Sequence, residues 1–183
     1  MSAPRLTTDE YLRTGETMLP QELVYGFVRD APAPSPGHQW AVGEIFTCLR
    51  THLTQHGIGR VWMSPIDVVL DREQDLVVQP DLIVVLNDRQ QIVDDRAWGA
   101  PDLVIEVMSP RPRIGRLDER LAWFAKYGVR ECWLVWPAIR EIEVISFADG
   151  AAADLRVFAP QQQLESIVLP SLKATPESIL TFA

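Results

Sequence analysis

The chain has 183 residues, of which 47% are hydrophobic and 23% are charged. These fractions are typical of globular proteins and exclude a disordered tail protein. The formal net charge of −8 argues against a general nucleic-acid coat, because such proteins bind through many basic contacts. It leaves room for a local basic patch. No apolar run reaches the roughly 18–20 residues of a membrane helix, so no membrane association is expected.

The two cysteines indicate the cellular compartment. Cys48 and Cys132 are not part of a CxxC motif, and two cysteines are too few for a disulfide framework. The first residues are too polar for a signal peptide. A chain with these features is expected in the reducing cytoplasm.

The N-terminal part predicts a helix, a strand and a second helix. Thr7 and Glu10 have the spacing of a capping box, which predicts a short helix. Residues 22–28 are rich in strand-forming residues and are followed by a proline-rich loop. Ser35 before Pro36 predicts the start of a helix that ends near Gly57. Its apolar face carries Val42, Ile45, Phe46, Leu49 and Leu53.

The middle of the chain predicts strands. The run at residues 82–86 is apolar throughout and indicates a strand buried on both faces. The run at residues 102–108 is similar, interrupted by Glu106. Further strands are expected at residues 60–63, 66–70, 76–79, 131–136, 141–147 and 155–158.

Two more helices complete the predicted order. One carries Leu117, Leu121 and Phe124 on one face and stops at Gly128. A short terminal helix follows Pro176. The order predicts an α/β or α+β class with a central mixed β-sheet flanked by helices, and residues 1–183 are expected to form a single domain.

Glu106 is an anomaly in its predicted strand. A buried carboxylate costs several kcal/mol unless a cation compensates it. Asp102 lies about 13 Å away along the strand and cannot share one ion with Glu106. The compensating group is either an arginine in a buried salt bridge or a metal ion.

Asp81 is the candidate partner of Glu106 for a metal ion. It precedes the apolar strand at residues 82–86, and neighbouring strands lie about 4.8 Å apart. Two carboxylates with water and phosphate oxygens are the usual ligands of Mg²⁺. Alternatively, Asp81 is only a turn residue at the start of its strand.

Several motifs together resemble one family. They are ELVYG from Glu22, PDLIVV from Pro80, PDLVIEVMSP from Pro101 and GVRECWLV from Gly128. In this order, over nearly the whole chain, they resemble the Uma2 family of restriction-endonuclease-like domains. That family is similar to the PD-(D/E)xK nuclease superfamily.

The resemblance implies a restriction-endonuclease-like fold and cleavage of DNA phosphodiester bonds that depends on Mg²⁺ (or Mn²⁺). Asp81 and Glu106 would be the metal ligands, and Glu22 would be a supporting acidic residue.

The chain departs from the family at the positive residue of the site. The superfamily lysine would stand at Met108. In the Uma2 family a lysine comes instead from the following helix, with an aspartate four residues earlier, and Arg120 and Arg116 stand at those positions. Arginine keeps the positive charge for a phosphate but cannot act as a proton-transfer base, because its pKa stays above about 12. The bound metal can still activate the water.

Other residues have two interpretations each. Arg111, Arg113 and Arg116 either clamp nucleic-acid phosphates or form a solvated surface. His38 is expected in the core or at a helix cap, although the resemblance commonly places a histidine there. His52 and His56 are expected at the surface, and Trp133 and Trp136 are expected in the core or at a dimer face. A homodimer is expected.

Two functions from different classes follow. The first is a metal-dependent DNA endonuclease that uses Glu22, Asp81, Glu106 and Arg120. The second is a catalytically degenerate relative that binds nucleic acid or a protein partner without cutting. Arg116 and Arg120, in place of aspartate and lysine, separate the two hypotheses.

Overall fold

The computed structural model of the protein describes residues 5–14, 20–108 and 116–181. The helices are α1 (Thr8–Tyr11), α2 (Pro36–His56), a 3-10 helix (Asn87–Ile92), α3 (Leu117–Tyr127) and α4 (Pro176–Ile179). The strands are β1 (Gln21–Val24), β2 (Phe27–Asp30), β3 (Gly59–Met63), β4 (Val68–Asp71), β5 (Leu76–Val78), β6 (Leu82–Leu86), β7 (Ala97–Trp98), β8 (Leu103–Val107), β9 (Glu131–Trp136), β10 (Glu141–Ala148) and β11 (Ala151–Phe158).

The predicted central mixed sheet has six strands in the order β11-β10-β9-β8-β6-β3. The β8 and β9 strands run parallel, and the other neighbours are antiparallel. All residues of β8 are buried, as its apolar sequence predicts. The α/β class with helices flanking a mixed sheet is therefore confirmed.

A second sheet was not anticipated from the sequence. It has the strand order β2-β1-β5-β4-β7. The prediction of one strand over residues 22–28 is wrong, because the chain reverses at Tyr25 and Gly26. Both residues have positive φ angles, 50° and 87°, which is the backbone of a tight hairpin turn. Only Gly26 signals this turn in the sequence.

The six-stranded sheet packs against a buried hydrophobic layer on each of its two faces. On one face, α2 packs through Ala41, Ile45, Leu49 and Leu53, together with the segment after β11. On the other face, α3 and the five-stranded sheet share a second core, which includes Val24, Val104 and Phe124. Side chains from β1, β8 and α3 can therefore meet in the space between the two sheets.

The predicted helix boundaries are largely confirmed. Thr7 and Glu10 form both hydrogen bonds of the capping box, and the Ser35 side chain caps α2. Gly57 and Gly128 end α2 and α3 with left-handed backbone, where a side chain would be strained. Among the described residues, no helix is long and apolar enough to cross a membrane.

Candidate active site

Asp81 and Glu106 lie opposite each other at the ends of two neighbouring strands. The antiparallel register of β6 and β8 pairs Leu82 with Ile105. One further step along both strands places Asp81 opposite Glu106. The backbone N–H of Val107 donates to Oδ2 of Asp81 at 2.7 Å, which holds this carboxylate beside Glu106. The predicted neighbourhood of these two strands is confirmed.

Arg120 connects two acidic residues from different sheets. Its Nε and Nη2 donate to Oε1 of Glu106 at 3.1 and 2.6 Å. Its Nη1 donates to both carboxylate oxygens of Glu22 at 2.8 Å. Arg120 is therefore the buried arginine partner that the sequence analysis offered as one of the two compensating groups for Glu106.

Burial makes these charges interact strongly. The exposed fractions are 2% for Glu22 and Asp81, 7% for Glu106 and 8% for Arg120. Attraction between charges grows as the surrounding dielectric constant falls. An arginine that joins two glutamates under these conditions fixes α3 against β1 and β8.

The buried cluster carries more negative than positive charge. Three of its side chains are acidic and one is basic: Arg120 pairs with Glu22 and Glu106, and the charge of Asp81 also acts on Glu106. Burial raises the pKa of Glu106 to about 7; Arg120 opposes this shift, while the charges of Asp81 and Glu22 add to it. Burial would lower the pKa of Arg120, but the charges of the two glutamates outweigh it and raise that pKa. Arg120 therefore stays charged, and the surplus negative charge falls on the carboxylates.

His38 is buried, which is one of its expected positions, but its contact with Asp81 was not expected from the sequence. It is buried in the first turn of α2, and its Nε2 lies 3.1 Å from Oδ2 of Asp81. The hydroxyl of Ser35 accepts from its backbone N–H, which fixes the start of the helix. Ser35 signalled where α2 begins, but no local pattern indicated that this end of the helix meets Asp81.

Glu22 is held from a second direction. The backbone N–H of Gln79 donates to its Oε1 at 2.8 Å. Because β1 and β5 are neighbours, the carboxylate receives this bond from the end of β5 while Arg120 approaches from α3. Glu22 is thus fixed by the five-stranded sheet that the sequence did not predict.

Asp81 and His38 line a cleft of about 980 Å³. The other charged side chains around this cleft are Asp67, Asp94, Asp95 and Arg96. Arg96 forms an ion pair with Asp95, so the cleft is acidic on balance. A phosphate that approaches Asp81 here would be repelled unless a cation accompanies it.

The arginines that were predicted to contact phosphate do not share one environment. Arg116 is exposed and pairs with Asp118, with Nη2 and Oδ2 2.8 Å apart. Arg111 and Arg113 lie outside the described residues. Arg120, at 8% exposure, is buried with the carboxylates and does not belong to a surface patch. Arg116 is thus the described member of the predicted phosphate clamp.

Asp102 lies apart from the acidic cluster, as expected. It is fully buried and accepts from the backbone N–H of Leu86 at 2.9 Å. It also forms ion pairs with Arg89 and Arg130, both at 3.3 Å. These contacts give Asp102 a structural role at the opposite end of β8.

The remaining histidines and tryptophans do not add to the site. The expectation that His52 is a surface residue is wrong, because it is 7% exposed and approaches Ser171. His56 is exposed. Trp133 is buried in the core, as predicted, and donates to Glu131. Across the part of the chain that the structure describes, no group of three or more His, Cys, Asp or Glu could hold a metal ion.

A solved structure shares the fold. It is the crystal structure of a "putative nuclease belonging to DUF820" from Anabaena variabilis, with a TM-score of 0.82. The sequences are 20% identical, and the alignment covers 96% of this chain and 98% of that one. At this identity the likeness shows the fold alone. No curated protein matches the chain.

The family comparison covers most of the sequence. Residues 8–177 match the profile of the family described as "Uma2: Putative restriction endonuclease". This range contains Glu22, Asp81, Glu106 and Arg120, the three acidic residues of the cluster and its arginine. The chain belongs to the Uma2 family, whose description is that of a restriction-endonuclease-like nuclease.

Proposed function

We propose that the chain is a metal-dependent endonuclease that cleaves DNA phosphodiester bonds. In this proposal Asp81 and Glu106 hold Mg²⁺ or Mn²⁺, Glu22 supports the acidic cluster and Arg120 is the positive group of the site. The supporting observation is that Asp81, directly before β6, lies opposite Glu106 of β8 in a chain of the Uma2 family.

The donor set fits a hard divalent cation. Asp81 and Glu106 supply carboxylate oxygens, and Mg²⁺ usually takes one or two carboxylates and completes its shell with water and phosphate oxygens. The hydrogen bonds that reach Glu106 from described residues all end on Oε1, so Oε2 remains for a metal. The buried cluster holds three acidic side chains and one arginine, which favours a cation.

When bound, the cation would supply the positive charge that polarises a phosphoryl oxygen and an attacking water. Arg120 contributes charge and position, because its guanidinium can donate to phosphate oxygens while it remains anchored on Glu22. It cannot take a proton from water. His38 and the N–H of Val107 orient the Asp81 carboxylate.

The second candidate is a protein that binds nucleic acid or a protein partner without cutting. The observation that favours it is the complete ion pairing of Arg120 with Glu22 and Glu106. If Arg120 takes the place of the cation permanently, the metal is excluded and no cleavage follows.

DNA contacts are proposed for Arg111, Arg113 and Arg116, which precede α3. Arg116 is the exposed described member of this group. These residues would supply phosphate contacts that the acidic cleft cannot provide. The single domain over residues 1–183, the homodimer and the cytoplasmic location also stay predictions.

A cleavage assay tests the proposal. Supercoiled and single-stranded DNA are incubated with the wild type and with Asp81→Asn, in Mg²⁺, in Mn²⁺ and in EDTA. We expect cleavage by the wild type with a metal, and its loss in EDTA or in the variant. Glu119→Gln, a half-exposed carboxylate that pairs with Arg29, is the matched control and should cut like the wild type. Absence of cleavage under all conditions would leave the binding function.

A further inference from the structure

The cleft beside Asp81 has an aromatic wall. Trp62, near the end of β3, lines it and is partly buried. Met63 and Ile66 are further apolar residues of the lining. The volume of about 980 Å³ is that of clefts that bind small molecules. Because nucleic-acid bases of any sequence stack on aromatic side chains, this wall can hold a flat ring next to the candidate metal ligand.

Gln79 brings to this cleft an acceptor that has no partner. Its backbone N–H donates to Glu22, and its Nε2 donates to Oδ1 of Asp67 at 2.8 Å. The other side-chain atom, Oε1, is buried and receives no hydrogen bond from a described residue. The bond to Asp67 fixes which end of the amide is nitrogen, so the unpartnered atom is an oxygen. Buried acceptors are usually satisfied, which points to a donor from outside the chain.

Asp67 offers a second acceptor beside the first. Hydrogen bonds from described residues reach its carboxylate only at Oδ1, from Gln79. Arg96 is close enough for its charge to interact with Asp67, but its side-chain hydrogen bonds go to Asp95. The backbone N–H of Ala97 donates to the backbone oxygen of Asp67 at 2.9 Å, which fixes the position of this residue. Gln79 and Asp67 therefore present two neighbouring acceptor oxygens in the lining of the cleft.

Guanine is the base that matches two neighbouring acceptors. Its Watson–Crick edge carries two adjacent donors, the N1–H and the 2-amino group. Adenine and cytosine carry one amino group beside an acceptor, and thymine carries one N–H between two carbonyl oxygens. In a duplex the guanine edge is paired with cytosine. A protein reads this edge only when the base is single-stranded or flipped out of the helix.

We propose that this cleft binds an unpaired guanine of the bound nucleic acid, with its ring on Trp62 and its two donors on Gln79 and Asp67. The proposal rests on the proposed function, because it places the base next to a phosphate at Asp81. It names the substrate class as single-stranded or flipped guanine nucleotides. A neutral base can enter an acidic cleft that repels a phosphate without a cation.

Deoxyguanosine tests the base site without a phosphate, a metal or cleavage. Its binding to the wild type in EDTA is measured by ligand-observed NMR titration, in parallel with deoxyadenosine, deoxycytidine, thymidine and deoxyinosine. We expect deoxyguanosine to bind about tenfold or more tighter than the first three. Deoxyinosine, which lacks only the 2-amino group, should lie between. Failure of this binding and failure of cleavage are separate results.

Two variants separate recognition of the edge from stacking. Asp67→Asn keeps the shape but replaces one acceptor oxygen by an amide that donates, so the preference for deoxyguanosine should be lost. Trp62→Leu should weaken all nucleosides about tenfold or more without changing their order. Trp62→Phe, which keeps an aromatic face, replaces it if the leucine variant does not fold and should weaken all nucleosides less. Asp95→Asn, a carboxylate of the same cleft outside the acceptor pair, is the matched control and should bind like the wild type.

Several outcomes would overturn the guanine site. They are equal binding of all nucleosides, a guanine preference that survives in Asp67→Asn, and absence of deoxyguanosine binding up to about 10 mM. Agmatine is the competing probe, because a guanidinium also carries adjacent donors. If it binds more tightly than deoxyguanosine and Asp67→Asn abolishes that binding, the cleft takes a basic partner instead. Guanine-selective binding by a wild type that cuts no DNA would support the guanine site and contradict only the cleavage.

Discussion

Arg120 donates from Nε and Nη2 to a single oxygen of Glu106, at 3.1 and 2.6 Å. Its third nitrogen, Nη1, binds Glu22 on the other sheet. One side chain of α3 thus connects the strand that carries the candidate metal ligand with the five-stranded sheet. Its charge bears on both the stability and the chemistry of the site.

Removal of this guanidinium should destabilise the protein strongly. Arg120→Met keeps a similar volume but leaves Glu22 and Glu106 without their cation. Removing one partner of a buried ion pair typically lowers the unfolding free energy by about 3–5 kcal/mol. Chemical denaturation measures this loss. Arg116→Met removes an exposed pair four residues earlier and should have little effect, so equal losses in both variants would contradict the role of Arg120.

Arg120→Lys tests what the site lacks for catalysis. A lysine keeps the positive charge and can exchange a proton with water, whereas arginine cannot. If the lysine found at this position in the family is the missing group, the cleavage rate with Mg²⁺ should rise, by about tenfold or more. An unchanged or lower rate, in a variant that remains folded, would show that this lysine is not the group that the site lacks.

The raised pKa of Glu106 predicts that the stability of the metal-free protein depends on pH. Its pKa is raised from an ordinary value of 4.5 to about 7. The folded protein therefore releases this proton at a higher pH than the unfolded chain does. Between these pH values the folded state binds more protons, and the unfolding free energy contributed by this group falls as the pH rises. The loss is of the order of 1–3 kcal/mol.

The comparison between the wild type and Glu106→Gln isolates this contribution. Urea denaturation from about pH 4.5 to 7 in EDTA should show a steeper loss of stability in the wild type than in the variant. Glu119→Gln serves as the control. Identical slopes in wild type and Glu106→Gln would show that the Glu106 pKa is not raised.

DNA binding should depend on the arginines before α3. Combined replacement of Arg111, Arg113 and Arg116 by Ala should weaken binding, and the decrease in affinity with salt should become shallower. Fluorescence anisotropy with labelled DNA over a salt series measures both effects. Unchanged affinity, or binding that ignores salt in the wild type, would contradict a phosphate clamp at this segment.

Much of the site could be predicted from the sequence, because its signals are local. Glu106 interrupts an apolar strand and Asp81 precedes another, so burial required a compensating partner for Glu106. Arg120 followed from its position in the family helix, and in the structure it donates to Glu106.

The unpredicted features depend on contacts between distant segments. The hairpin turn at Tyr25 has only Gly26 as a local signal, and without it the second sheet could not be foreseen. His38 meets Asp81 only because the start of α2 lies at the end of β6. His52 is buried by the C-terminal segment, where it approaches Ser171, which its helical periodicity alone did not indicate.

Titration calorimetry with Mg²⁺ and with Mn²⁺ tests the metal site most directly. The wild type, Asp81→Asn and Glu106→Gln are compared at the same pH, with Glu119→Gln as the control. We expect one site in the wild type and the control, and an affinity about tenfold or more weaker in both site variants, because each removes one of two carboxylate ligands. Absence of binding to the wild type, or equal affinity in Glu106→Gln, would contradict a metal site at Asp81 and Glu106.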